Sequence, residues 1–236
     1  MFVEACNQLH QCIYGLMGLS QIGPSQVNAT NGTGFMIVPG ILATAAHLCH
    51  IENDPSKPIH NHFEAIRSPE IGQQMERATL IAEDALRDLA LLKIENPRST
   101  LQVQMECNIV PTGTSCGSLG FPLASVIFSQ SGRMFNLVER FQGANISTYQ
   151  TSISPTGRAL GFYETDSLMY GGSSGCPGFL INAHVFGMHV ASFVDPASAQ
   201  TNAAKPSQVA GNRLAISIWV PATDIRDFAI ANGIQL

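Results

Sequence analysis

The sequence predicts an all-β fold, and three features of the chain support this prediction. Only 12% of the 236 residues are charged while 45% are hydrophobic, a balance typical of much buried strand. The chain also contains 21 Gly and 13 Pro, the residues that most often form tight turns. Repeated short strands between turns are typical of a sandwich or barrel. Short apolar runs of this kind cover residues 34–38, 40–44, 89–94, 178–181 and 185–191.

One helix is predicted, at the C-terminal end of the chain. Residues 221–233 carry apolar side chains at helical spacing, including Ile225 and Ala229. Thr223 is expected to cap the N-terminus of this helix, and Gly233 is expected to end it.

A turn-rich stretch over residues 96–115 divides the rest of the chain. A chain of 236 residues is long enough for two small domains that share an interface. We therefore predict one domain over residues 1–110 and a second over residues 111–236.

Charge and hydropathy limit the expected partners of the chain. The formal net charge is −5 and the 12 Lys and Arg residues form no cluster, so no nucleic-acid partner is expected. No apolar run is long enough to span a bilayer, so no membrane partner is expected either. The N-terminal residues show no basic leader before an apolar core, which favours a cytoplasmic location. The sequence leaves the oligomeric state open.

The cysteines and histidines do not follow a metal-site pattern. The six cysteines could pair in 15 ways, and a chain of this length folds without disulfides, so reduced thiols are favoured. Cys49 between His47 and His50, and the pair His60 and His62, lack a second ligand pair at the spacing of a zinc site. We therefore expect no metal, and we interpret His50, His60 and His62 as surface or core residues.

Three segments carry the candidate chemistry, and the first two contain a histidine and an aspartate. His47 follows two apolar strands and a run of small residues, which allow a tight turn that presents the imidazole beside a cleft. Asp88 lies directly before the apolar strand 89–94. An ionised carboxylate at the entrance to a core needs a cation or several donors, and a histidine that becomes cationic during a reaction is such a partner. Asp84 is a rival, but no strand follows it directly.

The third segment, residues 171–178, is rich in Gly and Ser. A nucleophilic serine needs a tight turn with small side chains, in which successive backbone N–H groups converge on a developing oxyanion. Ser174 has Gly172 two residues before it and a glycine after it, whereas Ser173 is followed by another serine. Cys176 is a further candidate, but the glycine frame favours Ser174, and Cys176 is interpreted as a small buried residue.

The order His, Asp, Ser resembles that of the chymotrypsin class of serine peptidases. Residues 44–47 (Thr-Ala-Ala-His) are similar to the histidine motif of trypsin-like peptidases, and residues 88–92 (Asp-Leu-Ala-Leu-Leu) to their aspartate strand. Residues 165–177 resemble the nucleophile segment of HtrA-type peptidases, which opens on Thr-Asp and closes on Gly-x-Ser-Gly. Residues 118–122 resemble the Gly-x-Pro turn that opens the second barrel. The resemblance covers nearly the whole chain.

This resemblance implies a chymotrypsin-like double β-barrel with a C-terminal helix, in which two six-stranded barrels flank the active site. It implies a serine endopeptidase in which Ser174 attacks the peptide carbonyl, His47 transfers the proton and Asp88 orients His47. The backbone N–H groups of Gly172 and Ser174 would form the oxyanion hole. The partner would be a polypeptide substrate, and no metal or organic cofactor would be needed. The alternative is a catalytically inactive protein of the same fold that binds peptides.

The segment 187–192 (Gly-Met-His-Val-Ala-Ser) is expected to line the substrate pocket. It resembles a strand of glutamyl endopeptidases and picornavirus-type main proteases, in which the histidine binds a Glu or Gln side chain before the scissile bond. Alternation along a strand would place His189 and Ala191 on one face, and Val190 and Ser192 on the other.

A pair of residues on the N-terminal side of the nucleophile, Leu168 and Met169, refines the expected specificity. Leu168, at the expected base of the pocket, argues against cleavage after Lys or Arg, and Met169 stands where those two families have Thr. We predict cleavage after Gln or Glu, with a medium apolar residue as the alternative, in which case His189 is a core histidine. The predicted substrate pocket comprises Leu168, Met169, His189, Val190, Ala191 and Ser192.

Overall fold

The computed structural model of the chain describes residues 1–23, 26–67, 75–129, 132–194, 200–202, 205–210 and 213–236. Strands dominate these ranges, which confirms the predicted all-β class. In chain order they are β1 (Ile13–Gly23), β2 (Gln26–Val38), β3 (Ile41–Ala45), β4 (His62–Arg67), β5 (Met75–Asp84), β6 (Leu89–Ile94), β7 (Gln104–Met105), β8 (Ser115–Gly120), β9 (Ser125–Ser129), β10 (Gly132–Asn136), β11 (Arg140–Ile153), β12 (Ala159–Thr165), β13 (Pro177–Phe179), β14 (His184–Val194), β15 (Gln200–Asn202), β16 (Lys205–Ala210) and β17 (Arg213–Pro221). The helices are α1 (Val3–Leu9) and α2 (Ala222–Ala231), and short 3₁₀ turns cover His10–Cys12, Ala46–Cys49 and Ile51–Asn53.

The first six strands close into a barrel. They pair in the order β1–β2–β3–β6–β5–β4, and β1 closes the ring because it pairs with both β2 and β4. Apolar side chains fill its core, and Leu16, Phe35, Leu42 and Leu91 are each at most 1% exposed. Full burial of such a side chain contributes about 1.5–3 kcal/mol. This barrel carries the turn that contains His47.

The later strands form a second barrel of six strands. They pair in the order β13–β8–β11–β12–β17–β14, a pairing between β13 and β14 closes the ring, and β7 adds to β14 as a parallel edge strand. The pairs β9–β10 and β15–β16 form separate two-stranded sheets. Aromatic rings pack its core. The centre of the Phe186 ring lies 5.3 Å from that of Tyr163 and 5.7 Å from that of Trp219. Two barrels followed by a helix confirm the predicted chymotrypsin-like double β-barrel.

The predicted domain division lies in the connection between β6 and β8. In this connection the Val103 N–H donates to the Met36 carbonyl of the first barrel at 2.9 Å. Shortly afterwards the Glu106 N–H donates to the Val185 carbonyl of the second barrel at 2.8 Å. The connection therefore belongs to both barrels, and a boundary at residue 110 stays a prediction.

The helices match the sequence prediction in part. α2 buries Ile225 and Ala229 as expected, but it begins at Ala222, so the expected cap at Thr223 is wrong. Pro221 occupies the N-cap position instead, because its ring holds φ at −62° and delivers the chain to the helix without a side-chain cap. The sequence does not predict α1, whose seven residues bury only two side chains and so carry little periodic signal. Among the helices of the described ranges, none is both long and apolar enough to cross a membrane.

Candidate active site

The turn that carries His47 follows directly from strand β3. β3 pairs with β6 in a register that places Ala45 opposite Leu89. The chain then enters the 3₁₀ turn Ala46–Cys49. This register brings His47 against Asp88, the residue that precedes β6. The His47 side chain remains 20% exposed, so the imidazole is accessible from outside the barrel.

Asp88 binds His47 through both carboxylate oxygens. Oδ1 accepts a hydrogen bond from the His47 backbone N–H at 2.7 Å, and Oδ2 lies 2.6 Å from Nδ1 of the imidazole. The Asp88 carbonyl also accepts the Ala46 N–H at 3.1 Å. Asp88 has a left-handed backbone with φ of 54°, which Asp tolerates better than most residues. Because the carboxylate holds the Nδ1 side of the ring, the Nε2 side faces away from Asp88.

Asp84, the rival aspartate, belongs to a different arrangement. Its carboxylate pairs with Arg87 at 3.0 Å and with Arg158 at 2.8 Å, and Arg87 also pairs with Asp224 of α2 at 3.1 Å. Burial alone would raise the pKa of Asp84, but hydrogen bonds from Arg87 and the charge of Arg158 outweigh it and hold that pKa below its usual value. These four residues, the inter-barrel charge cluster, join the first barrel to the β11–β12 turn and to α2.

Ser174 lies in a turn that needs glycine on either side. Gly172 has φ of 91°, and a Cβ there would lie 2.5 Å from the carbonyl oxygen of Phe121. Gly175 has φ of 81°, and a Cβ there would lie 2.0 Å from the carbonyl oxygen of Thr33. A left-handed φ and such close approach both exclude larger residues. The glycine frame around Ser174 is therefore a requirement of the backbone.

Hydrogen bonds attach the Ser174 turn to the strands that lead to His47. The Thr33 N–H donates to the Ser174 carbonyl at 2.8 Å, and the Thr44 hydroxyl donates to the Thr33 carbonyl at 2.7 Å. A Cβ on the glycine after Ser174 would lie only 3.1 Å from the Ala45 nitrogen. The structure thus brings the Ser174 turn to the same end of β3 as the bonded pair of His47 and its aspartate.

Thr33 belongs to this site, although the sequence does not predict it. Its side chain is fully buried, and its hydroxyl donates to the Gly172 carbonyl at 3.0 Å and accepts the Phe121 N–H at 3.1 Å. The available signal is one polar residue between Gly32 and Gly34, ahead of an apolar run. A signal this weak does not identify a partner on another barrel.

Cys176 is too buried to serve as the nucleophile. The residue is 1% exposed, and burial raises the pKa of its thiol well above the usual value. A reactive cysteine needs the opposite, a lowered pKa and access to solvent. Ser173 is also buried, at 2% exposure, while Ser174 keeps intermediate exposure. Accessibility therefore favours Ser174 among the three candidates.

Strand β14 departs from simple alternation at Val190. Its pairing with β17 shifts register between His189 and Ala191, which marks a β-bulge. Ser192 Oγ consequently lies 3.5 Å from Nε2 of His189, so these two side chains meet. The prediction that they lie on opposite faces is wrong, because it assumed an unbroken strand. Val190 is buried, whereas Ala191 is exposed.

His189 is buried and connected through hydroxyls to the segment that leads to the nucleophile. It is 3% exposed, and its ring lies 5.2 Å from that of Trp219 at 70° between the planes. Ser192 Oγ lies 3.3 Å from Ser217 Oγ, and the Ser217 hydroxyl donates to the Ser167 carbonyl at 2.7 Å. A polar chain therefore runs from the β14 histidine across β17 to the nucleophile segment.

Leu168 and Met169 contact the β8–β11 side of the second barrel. The Leu168 carbonyl accepts a hydrogen bond from the Gln142 side-chain amide at 2.8 Å. Met169 lies with its Sδ 3.9 Å from Ser118 Oγ, and both residues line a cavity of about 230 Å³ with Ser173. Of the six predicted pocket residues, Met169 belongs to this cavity. A single pocket shared by all six stays a prediction.

Other histidines near the site have protein partners. His50 is buried with Nε2 2.8 Å from the Glu83 carboxylate. His60 is buried between the hydroxyls of Ser20, at 3.0 Å, and Thr30, at 3.2 Å, and burial lowers its pKa to about 4. His60 is therefore neutral at neutral pH. In the part of the chain that the structure describes, no group of three or more His, Cys, Asp or Glu could hold a metal ion.

Comparisons with known proteins add to this geometry. A family profile described as a trypsin-like peptidase domain matches residues 32–216, and a search of curated protein sequences finds no match. Among solved structures, the chain is similar to the active form of the Rv3671c protease from M. tuberculosis, with a TM-score of 0.70 and 17% identity over 98% of this chain and 85% of that chain. The inactive form of Rv3671c matches with a TM-score of 0.67 and 16% identity, over 98% of this chain and 93% of that chain. The HtrA-type protease AlgW with a tripeptide matches with a TM-score of 0.71 and 16% identity, over 99% of this chain and 65% of that chain.

The profile match covers most of the chain and includes His47, Asp88 and Ser174. The chain therefore belongs to the trypsin-like peptidase family. It is a serine endopeptidase with a chymotrypsin-like double β-barrel. At 16–17% identity the similar structures establish the fold and leave the substrate to be inferred from the site.

Proposed function

We propose that Ser174, His47 and Asp88 form the catalytic triad of this peptidase, which cleaves peptide bonds through an acyl-enzyme. The observation that carries this proposal is the pair of hydrogen bonds between Asp88 and His47, at 2.7 and 2.6 Å. They lie at the end of β3 to which the Ser174 turn is attached. Because the carboxylate is bonded to Nδ1, it fixes the orientation of the imidazole and leaves Nε2 available to act as the general base. Ser174 is the accessible hydroxyl of its turn.

In the proposed reaction, Nε2 of His47 takes the hydroxyl proton of Ser174 while Oγ attacks the peptide carbonyl. Asp88 orients the imidazole and stabilises the imidazolium that forms. His47 then gives the proton to the leaving amine, the C–N bond breaks, and an acyl-enzyme remains. Water attacks the acyl group with His47 as the base, which releases the carboxylic acid and restores the Ser174 hydroxyl.

The oxyanion of this reaction is proposed to bind the backbone N–H groups of Gly172 and Ser174. The Gly171 carbonyl accepts the Leu123 N–H at 2.8 Å. In a trans peptide the C=O and the following N–H point in opposite directions, so the Gly172 N–H points away from Leu123. This fixed orientation supports a donor role, and one such donor contributes about 10²–10³-fold to kcat.

Peptidase assays on Ser174→Ala and Ser173→Ala test this assignment. Ser174→Ala should lose nearly all activity and keep only about 10³-fold acceleration over water. Ser173→Ala is the matched control and should keep its activity, because its hydroxyl is buried. A Ser174→Ala variant that cuts peptides at the wild-type rate would refute the assignment. A wild-type chain that binds peptides of a proteome-derived library and cuts none would favour the inactive peptide-binding alternative.

We further propose cleavage after Gln or Glu, with His189 as the donor to that side chain. The hydroxyls of Ser192 and Ser217 support this proposal, because they orient a histidine that is otherwise packed against Trp219. A site that must hydrogen-bond its ligand discriminates strongly against a side chain without an acceptor. Leu168 brings no carboxylate that could pair with Lys or Arg.

Substrate series with His189→Ala test this specificity. The variant should lower kcat/KM on Gln and Glu substrates by about 10- to 100-fold, as expected for one lost hydrogen bond to a polar or charged group, and change Leu substrates little. His184→Ala, on the same strand and 35% exposed, is the matched control and should change neither. Cleavage after Leu or Val, with no effect of His189→Ala, would show that the histidine is structural.

A further inference from the structure

We propose that Thr33 is a positioning residue, whose hydroxyl holds the peptide that follows Gly172 and thereby helps to fix the direction in which Gly172 presents its N–H to the oxyanion. This inference rests on the proposed function, because it concerns the same site. In this proposal, a side chain of the first barrel holds the turn of the second barrel that carries Ser174.

Thr33 bonds to both barrels with every polar group that it has. Its hydroxyl donates to the Gly172 carbonyl at 3.0 Å and accepts the Phe121 N–H at 3.1 Å. Its backbone N–H donates to the Ser174 carbonyl at 2.8 Å, and its carbonyl accepts the Thr44 hydroxyl at 2.7 Å. The side chain is 0% exposed, so water does not compete for these bonds. Few residues could satisfy this set, since it needs both a donor and an acceptor on one short side chain.

The bonds of Thr33 complete the restraint of Gly172. The Gly171 carbonyl is held by the Leu123 N–H at 2.8 Å, and the Gly172 carbonyl is held by the Thr33 hydroxyl at 3.0 Å. Rotation of the peptide before Gly172 would break the first bond, and rotation of the peptide after it would break the second. With both carbonyls held, the Gly172 N–H has one direction.

This restraint matters because the turn has little stiffness of its own. Glycine loses more conformational freedom on ordering than any other residue, and Gly171, Gly172 and Gly175 surround the nucleophile. A donor that is not already oriented must be ordered during the reaction, which removes the advantage of a preorganised site. The Thr33 hydroxyl orders the turn in advance, from the barrel that also carries His47.

The hydroxyl can be removed without changing the shape of the side chain. Thr33→Val keeps a β-branched residue in β2 and should lower kcat by about 100-fold, the lower end of the range for a lost oxyanion donor, with little change in KM. Thr33→Ser keeps the hydroxyl and should restore most of kcat. Thr30→Val is the matched control: Thr30 is buried on the same strand, and its hydroxyl donates to the Leu48 carbonyl at 2.8 Å. It should lower stability and leave the exchange of the Leu123 N–H unchanged.

Amide hydrogen exchange of the unliganded protein provides a readout that does not require activity. The Leu123 N–H should exchange faster in Thr33→Val than in wild type, because release of Gly172 frees the Gly171 carbonyl, and it should not change in Thr30→Val. If the wild-type chain cleaves no peptide, the triad proposal fails while this measurement still tests Thr33. Should Thr33→Val not fold, Thr33→Ala removes the hydroxyl without adding volume.

Two results would overturn the proposal. One is wild-type kcat in the folded Thr33→Val variant, or unchanged exchange at Leu123 where no activity exists to measure. The other is a loss of kcat that Thr33→Ser does not restore, since this would assign the effect to packing instead of the hydroxyl.

Discussion

Asp88 binds the ring and the backbone of His47 at the same time, through Oδ2 to Nδ1 at 2.6 Å and through Oδ1 to the backbone N–H at 2.7 Å. Two bonds from one carboxylate fix both the position of the imidazole and the rotation of its ring. The left-handed backbone of Asp88 makes this possible, because it turns the side chain back toward the 3₁₀ turn that carries His47. The orientation of the proposed base therefore depends on the residue that immediately precedes β6.

Replacing Asp88 by Asn should lower kcat by about 10⁴-fold, because an amide holds the wrong imidazole tautomer and cannot stabilise its cation. Asn also tolerates a left-handed backbone, so the fold should persist. Steady-state kinetics with a thermal unfolding curve would separate the two effects. Asp84→Asn is the control and should affect stability more than turnover. Turnover of Asp88→Asn near the wild-type rate would remove Asp88 from the triad.

Cys176→Ala should keep most of the peptidase activity, because this thiol is buried and its pKa is raised. Iodoacetamide should likewise leave the native enzyme active. Both are measured with the same peptide substrate as the serine variants. Loss of activity in Cys176→Ala, with Ser174→Ala still active, would make the cysteine the nucleophile.

Arg87→Met should lower the free energy of unfolding by about 3 kcal/mol, because it removes the cation that the buried carboxylate of Asp84 shares with the partly buried carboxylate of Asp224. Arg226→Met is the matched control. Arg226 is 40% exposed and pairs with Asp227 at 2.8 Å, and an exposed pair contributes less than about 1 kcal/mol. Urea unfolding of both variants measures the difference. Equal losses would mean that the inter-barrel charge cluster contributes no more than a surface pair.

Stability should fall as the pH falls from 6.5 to about 4, because of His60. Burial lowers the pKa of His60 from 6.5 to about 4, so the unfolded chain takes up this proton first. Between these two values the unfolded state binds more protons, and the free energy of unfolding therefore decreases with decreasing pH. His60→Gln should flatten this part of the profile in urea titrations. An unchanged slope in His60→Gln would assign the pH dependence to other groups.

Local features of the fold were predictable from sequence where the cause is local. Strand β6 spans Leu89–Ile94 as predicted, because an apolar run bounded by polar residues determines it. The glycines beside Ser174 were also recognisable, since a left-handed φ leaves few other choices. The pairing of His47 with Asp88 followed from a resemblance between motifs, since the two residues are far apart in the chain.

Features that depend on distant partners were not predictable. The bulge at Val190 arises from the pairing of β14 with β17, so alternation within β14 alone gives the wrong face for Ser192. The bonds of Thr33 reach Phe121 and Gly172, which are 88 and 139 residues away in sequence. A single threonine between glycines does not specify contacts at such a separation. The inter-barrel charge cluster around Asp84 was not predictable for the same reason.

Labelling with a fluorophosphonate probe, followed by mass spectrometry of the digested protein, tests directly whether Ser174 is the activated nucleophile. Such a probe reacts with a serine only when a neighbouring base and an oxyanion hole activate it. We predict one adduct per chain, on Ser174, with labelling lost in Ser174→Ala and retained in Ser173→Ala. An adduct on Ser173 or another residue, or no adduct on the folded wild-type chain, would contradict it.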